Sequence, residues 1–156
     1  FPFKKGSHGG QPNTGPNGAG STRVQGELYP FGYGLSYTTF RYSDLEVAPL
    51  KQSIKGDYTV KVNVTNTGKR AGDEIVQLYV RDKVSSVVTY DSELRGFERV
   101  FLQPGETKLV TFTLKPEDLQ LLGRDMHWVV EPGEFEIMIG ASSQDIRLKE
   151  TITALP

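Results

Sequence analysis

Tyr58-Thr59-Val60-Lys61-Val62-Asn63-Val64-Thr65 alternates apolar and polar side chains without a break. A strand sends successive side chains to opposite faces, so this run has one face to bury and one to wet. A helix would scatter Val60, Val62 and Val64 around its surface, so the period of two decides for β-structure. The same reading extends outward in both directions. Residues 40–47 form a first strand, and 74–81, 96–102, 108–114, 135–140 and 146–153 follow.

Turn residues separate these runs. Asn66-Thr67-Gly68, Gln103-Pro104-Gly105-Glu106 and Glu131-Pro132-Gly133-Glu134 fall between them. Each Pro-Gly pair puts the fixed φ of proline at i+1 and a residue tolerant of positive φ at i+2, which predicts two type II turns. Only residues 116–122 look helical, with Pro116 in the first turn and Gly123 to end it. Seven or so short strands, with turn signals every 8–12 residues, predict an antiparallel β-sandwich.

The composition divides the 156 residues unevenly. Residues 1–34 hold nine of the 17 glycines and four of the nine prolines, with Glu27 as the one acidic residue. The stretch from Gly9 to Gly20 has no large apolar side chain, so it has nothing to bury against the entropy of ordering its backbone. Residues 1–26 read as an extended loop or tail, and 1–34 as a glycine-rich linker ending in an aromatic joint. Residues 35–156 read as the sandwich, carrying 18 acidic against 15 basic side chains.

The net charge of −1 predicts neither a nucleic-acid nor an anionic-membrane partner. No apolar run approaches the ~18 residues of a membrane-spanning helix, and the first residues carry no signal-peptide pattern. The absence of cysteine removes disulfides, thiolate nucleophiles and cysteine metal sites together.

Other chemical motifs fail on context. The glycines of 15–22 are spaced like a phosphate loop, but Ser21 stands where lysine is needed and no strand precedes. His8 and His127 are the only histidines, and neither has a metal-ligand spacing. Glu134 and Glu136 share a strand face and could share a proton, although a solvated face opposite Phe135, Ile137 and Ile139 is the simpler reading. Asp73-Glu74 and Asp91-Ser92-Glu93 lack the alternating oxygens and glycine of a calcium loop. No catalytic residue, metal ligand or cofactor site emerges.

One segment stands apart. Six of the fourteen residues from 29 to 42 are aromatic, namely Tyr29, Phe31, Tyr33, Tyr37, Phe40 and Tyr42. Pro30, Gly32 and Gly34 bend the backbone between them, so the rings project in several directions. They could plug one end of the core, dock on another domain or stack on sugars. Tyr29, Phe31, Tyr33 and Tyr37 are the candidates for inter-domain docking. Trp128, in the strand-like run His127-Trp128-Val129-Val130, is a weaker candidate for sugar stacking, with core or edge packing expected ahead of it.

The run from Leu28 to Phe40, Leu-Tyr-Pro-Phe-Gly-Tyr-Gly-Leu-Ser-Tyr-Thr-Thr-Phe, resembles the signature that opens the C-terminal domain of glycoside hydrolase family 3 enzymes, the β-glucosidase and β-xylosidase group. The resemblance continues through Val62-Asn63-Val64-Thr65-Asn66-Thr67-Gly68, Ala71-Gly72-Asp73-Glu74-Ile75-Val76-Gln77-Leu78-Tyr79-Val80, and Glu93-Leu94-Arg95-Gly96-Phe97-Glu98-Arg99-Val100. It runs on through Leu102-Gln103-Pro104-Gly105-Glu106 and Pro132-Gly133-Glu134-Phe135 and covers essentially all of 28–150.

The resemblance implies a fibronectin type III-like, immunoglobulin-like sandwich. In a parent enzyme it would follow a (β/α)8 barrel and an α/β sandwich domain, which become its expected partners. The family's nucleophile and acid/base carboxylate lie in those domains, so the parent is a glycosidase while this chain alone is expected to be non-catalytic. An oligosaccharide or a protein ligand is the alternative partner. A periplasmic or secreted parent is the family-level expectation, and loops ahead of this domain approach the active-site mouth, which offers 7–26 a substrate-contact role. One departure stands out. Phe135 follows the second Pro-Gly pair where related sandwiches carry a corner tyrosine, so packing must hold that corner.

Overall fold

The computed structural model describes residues 29–86 and 92–156. The expectations for residues 1–26, for the glycines of 15–22 and for His8 lie outside them. Among the described residues seven long strands carry the fold: β1 (Phe40–Ala48), β3 (Tyr58–Asn66), β4 (Gly72–Asp82), β5 (Glu93–Leu102), β6 (Thr107–Leu114), β9 (Gly133–Gly140) and β10 (Ile146–Leu155). Three short ones join them: β2 (Lys51–Ser53), β7 (Leu121–Leu122) and β8 (Trp128–Val129). Each run predicted as a strand is one of the seven.

The strands form two packed sheets and a ribbon. One sheet has the order β1-β3-β6, the second β2-β10-β9-β4-β5, and β7 pairs with β8. All pairings are antiparallel except β2 with β10, which run parallel through Thr153 opposite Lys51. The alternation that began the sequence reading is realised in full, since Tyr58, Val60, Val62 and Val64 are completely buried. They meet Val76, Leu78, Ile137, Ile139 and Ile152 of the opposing sheet in a single apolar layer. Burying side chains of this size stabilises by about 1.5–3 kcal/mol each.

Three local expectations are corrected. Residues 116–122 are not a helix; Pro116–Leu119 makes one 3-10 turn, and Gln120 is already extended. Four residues cannot propagate an α-helix, and Leu121 is more valuable paired opposite Val129 with its side chain buried. Gly123 therefore does not end a helix but turns the ribbon, its N–H donating to the His127 carbonyl at 2.9 Å. The first Pro-Gly pair is the predicted type II turn, with Gly105 at φ +76° and the Glu106 N–H donating to the Gln103 carbonyl. The second is not. Gly133 has no positive φ and begins β9 opposite Ala154, because the ladder claims it.

Phe135 is buried in the core, as a corner held by packing requires. A tyrosine hydroxyl nonetheless ties sheet to sheet elsewhere. Tyr58 Oη donates to the Thr153 carbonyl at 3.1 Å, anchoring the three-stranded sheet to β10.

Candidate functional site

The aromatic joint is positioned by a turn and a clamp. The Tyr33 N–H donates to the Pro30 carbonyl at 3.0 Å, and Gly32 sits between them at φ +79°, a conformation that favours glycine. This turn stacks the rings of Tyr29 and Tyr33 with centroids 5.2 Å apart. Gln77 then holds the turn against the outer face of the five-stranded sheet. Its Nε2 donates to the carbonyls of Gly32 and Ala141, each at 2.8 Å, while Tyr79 Oη donates to its Oε1. Burial pushes the Tyr79 hydroxyl up to about 12, so it stays a donor at neutral pH. The Ser143 N–H completes the attachment through the Phe31 carbonyl at 2.9 Å.

Further along, Thr38 Oγ1 donates to Asn66 Oδ1 at 2.8 Å, and the Thr67 N–H donates to the Thr39 carbonyl at 2.8 Å. The joint's backbone is fixed while its rings stay open. Tyr29 is 64%, Tyr33 48% and Tyr37 92% exposed, whereas Phe31 is half-buried. None of the four belongs to the buried core cluster, which contains Phe40 and Tyr42 instead. The six clustered rings thus divide into four outside and two inside.

A groove of about 650 Å³ lies between the joint and the sheet, walled by Phe31, Tyr33, Ile75 and Phe97 and lined also by Asp145 and Arg147. Arg147 forms a two-pronged pair with Asp145 at 2.7 Å and donates to the Phe40 carbonyl at 2.9 Å. That pairing holds the Asp145 carboxyl below its ordinary range. Tyr42 Oη donates to Glu74 Oε1 at 2.6 Å at the buried side of the groove, and burial pushes the Glu74 carboxyl up.

The other singled-out residues are dispersed. Trp128 is 65% exposed on the β7-β8 ribbon, opposite Leu122, which excludes the core half of the core-or-edge packing expected ahead of stacking. Glu134 pairs with Lys83 at 3.2 Å and Glu136 with Lys149 at 3.6 Å, so each carboxylate has its own cation. His127 lies beside Asp125, and both are exposed. Among the described residues no group of three or more His, Asp or Glu could hold a metal ion.

Sequence reasoning passed over Ile75, Phe97 and Phe101, which lie on the sheet's outer face and are exposed. Their strands carry apolar residues on both faces, so period two marks the strand without saying which side is wet. The Gln77 clamp was hidden in the same way, inside the apolar run 75–80.

Residues 74–143 match the family described as the fibronectin type III-like domain. The chain is 52% identical over 122 residues to a β-xylosidase of Formosa agariphila, spanning 78% of this chain and 17% of that protein. It is 43% identical over 124 residues to the periplasmic β-glucosidase of Salmonella typhimurium, spanning 80% of this chain and 16% of that protein. Among solved structures, a β-glucosidase from Erythrobacter marinus superposes with a TM-score of 0.80 at 42% identity, over 86% of this chain and 18% of that one. The chain therefore spans about one sixth of the length of the relatives it matches.

Proposed function

We propose, from the premise that this chain carries the fibronectin type III-like domain of glycoside hydrolase family 3 β-glucosidases and β-xylosidases, that it is a non-catalytic accessory domain bracing the catalytic domains of such an enzyme. The observation that carries this reading is the aromatic joint. Its backbone is clamped by Gln77 and Ser143 while Tyr29, Tyr33 and Tyr37 stand outside a core that closes without them. Exposed tyrosine rings have only two side-chain torsions to fix, so on a clamped backbone they lose little entropy when a partner covers them. Burying each would contribute about 1.5–3 kcal/mol. Residues 35–156 act as the bracing sandwich and 1–34 as the linker to the partner domains. The parent hydrolyses β-glycosidic bonds in the periplasm or outside the cell; the Salmonella typhimurium relative is named a periplasmic β-glucosidase.

The test is Tyr33→Ser with Tyr37→Ser in the full-length glycosidase that carries this chain. The half-life of activity at elevated temperature should shorten, with kcat/KM for an aryl β-glycoside at low temperature unchanged. An unaltered half-life would overturn the brace.

Trp128 supports a second reading, a carbohydrate- or protein-binding module, because its ring is exposed and it is the chain's single tryptophan. Its fluorescence during titration with cello- or xylo-oligosaccharides distinguishes the two readings, and a saturable change would favour the module.

A further inference from the structure

The outer faces of the two sheets differ in kind. On the three-stranded sheet the outward positions include Arg41, Thr59, Lys61, Asn63, Thr65 and Thr111, with Leu109 as the large apolar exception. The five-stranded sheet instead turns Ile75, Phe97 and Phe101 outward, 39%, 66% and 48% exposed. The register places them together. Phe97 is opposite Gln77, Arg99 opposite Ile75 and Phe101 opposite Asp73, so all six share one face in adjacent rows. This face continues across the groove to Tyr33 and Leu35, the latter 88% exposed.

The chemistry of the groove separates two kinds of occupant. A sugar needs polar groups free to meet its hydroxyls. Here Gln77 Nε2 is committed to the Gly32 and Ala141 carbonyls, Asp145 to Arg147, Asp73 to Arg99 at 2.8 Å, and Glu74 to Tyr42. Apart from the Ser36 and Tyr33 hydroxyls, what remains for a partner is apolar ring surface with the Asp73–Arg99 pair beside it, the composition of a protein interface with an apolar centre and polar rim. Clustered apolar surface of this kind marks an interaction site on a soluble domain.

Tethering selects the partner. The backbone at Phe31 and Gly32 is bonded to this sheet. A domain joined ahead of Tyr29 by the 28 preceding residues would be held beside Phe97 and Phe101 at high effective concentration. The relatives that this chain matches are about five times its length, which leaves ample polypeptide to supply such a domain.

We infer that the outer face built by Ile75, Phe97 and Phe101, continuous with Tyr33 and Leu35, is the surface on which the preceding catalytic domain of a family 3 glycosidase docks through an apolar protein surface. This rests on the brace reading and adds the face that reading leaves open.

Hydroxyl-radical footprinting of the 156-residue chain and of the full-length glycosidase tests it. Phe97 and Phe101 should be labelled several-fold less in the longer protein, with Leu109 labelled equally in both. If Tyr33 and Tyr37 are protected while Phe97 and Phe101 are not, the docking face is overturned and the brace stands. If none of the four is protected, both fall. Protection of Phe97 in the 156-residue chain by added xylo-oligosaccharide would overturn the docking face in favour of a sugar subsite. As a second readout, Phe97→Ser with Phe101→Thr should shorten the heat half-life of the full-length protein, while the unfolding midpoint of the 156-residue chain stays within a degree or so of its parent, as surface changes usually do.

Discussion

Tyr42 Oη donates a 2.6 Å hydrogen bond to Glu74 Oε1, and both residues are buried where β1 of one sheet faces β4 of the other. The Arg147 guanidinium lies 5.3 Å from the Tyr42 ring centroid and is itself fastened to Phe40 and Asp145. A strand from each sheet and the edge of the groove thus meet at one polar contact inside an apolar layer.

Tyr42→Phe tests the strength of that contact. The ring and its packing survive, but the Glu74 carboxylate loses its donor inside the sandwich. Leaving a buried acceptor unsatisfied costs about 1–3 kcal/mol. Urea unfolding at neutral pH should show a loss in that range with an unchanged slope, and a variant as stable as its parent would refute it.

The same pair predicts a pH dependence. Burial raises the Glu74 carboxyl above its ordinary 4.5, outweighing the Tyr42 hydrogen bond and the Arg147 charge. The folded chain therefore holds that proton more tightly than the unfolded chain does. Stability from this group falls as pH rises through the interval between 4.5 and the folded value, and the penalty is fully present above it. Asp145 works oppositely, since Arg147 lowers it below 3.8 and its contribution is lost on acidification. Glu74→Gln keeps an acceptor for Tyr42 and removes the titration. Its stability relative to the parent should rise from pH 4 to pH 7, whereas parallel profiles would assign the dependence to other groups.

The seven long strands were legible because each turns an apolar face to the core, and Val60, Val62 and Val64 could not be placed any other way. The 116–122 segment was misread because Pro116 and Gly123 carry the marks of a helix, while the pairing of Leu121 with Val129 is a tertiary decision invisible locally. Gly133 was misread similarly, since a Pro-Gly pair signals a turn unless a ladder partner such as Ala154 takes the glycine. The aromatic joint was visible as a cluster. Its division into buried Phe40 and Tyr42 and exposed Tyr29, Tyr33 and Tyr37 was not, because that depends on where β1 begins.

Asn66 should be among the least tolerant polar positions. It is fully buried, and its amide makes four bonds: Nδ2 to the carbonyls of Arg70 and Leu102, Oδ1 from Thr38 Oγ1 and the Gly68 N–H. Asn66→Asp replaces two donors with an acceptor facing two carbonyls, a geometry that buries unmatched charge. The expected loss is at least about 2–4 kcal/mol, read from the denaturant midpoint. A loss under half of the lower figure would mean that water replaces the amide.

The 156-residue chain alone should release no nitrophenol from aryl β-glucosides or β-xylosides. Retaining hydrolysis needs two carboxyls about 5–5.5 Å apart flanking one sugar. The candidates here are engaged elsewhere, Glu74 with Tyr42, Glu134 with Lys83 and Asp145 with Arg147. Turnover that persists through purification and disappears with a point change in this chain would overturn the non-catalytic assignment.

Gly32→Ala should loosen the joint without melting the sandwich. At φ +79° a side chain is strained by roughly 1–2 kcal/mol. An added Cβ would also fall 2.1 Å from Gln77 Oε1. The Gln77 amide cannot simply swing aside, because it is held by Tyr79 Oη and by two carbonyls. Relief must therefore come from displacing the turn. The Tyr33 and Ser143 amides, which bond to the Pro30 and Phe31 carbonyls, should exchange their hydrogens faster, with the amides of Val62 and Ile137 little changed. Unaltered exchange at Tyr33 and Ser143 would show that the clamp does not set the joint's geometry. Accelerated exchange at Val62 as well would show that the joint and the core unfold as one unit.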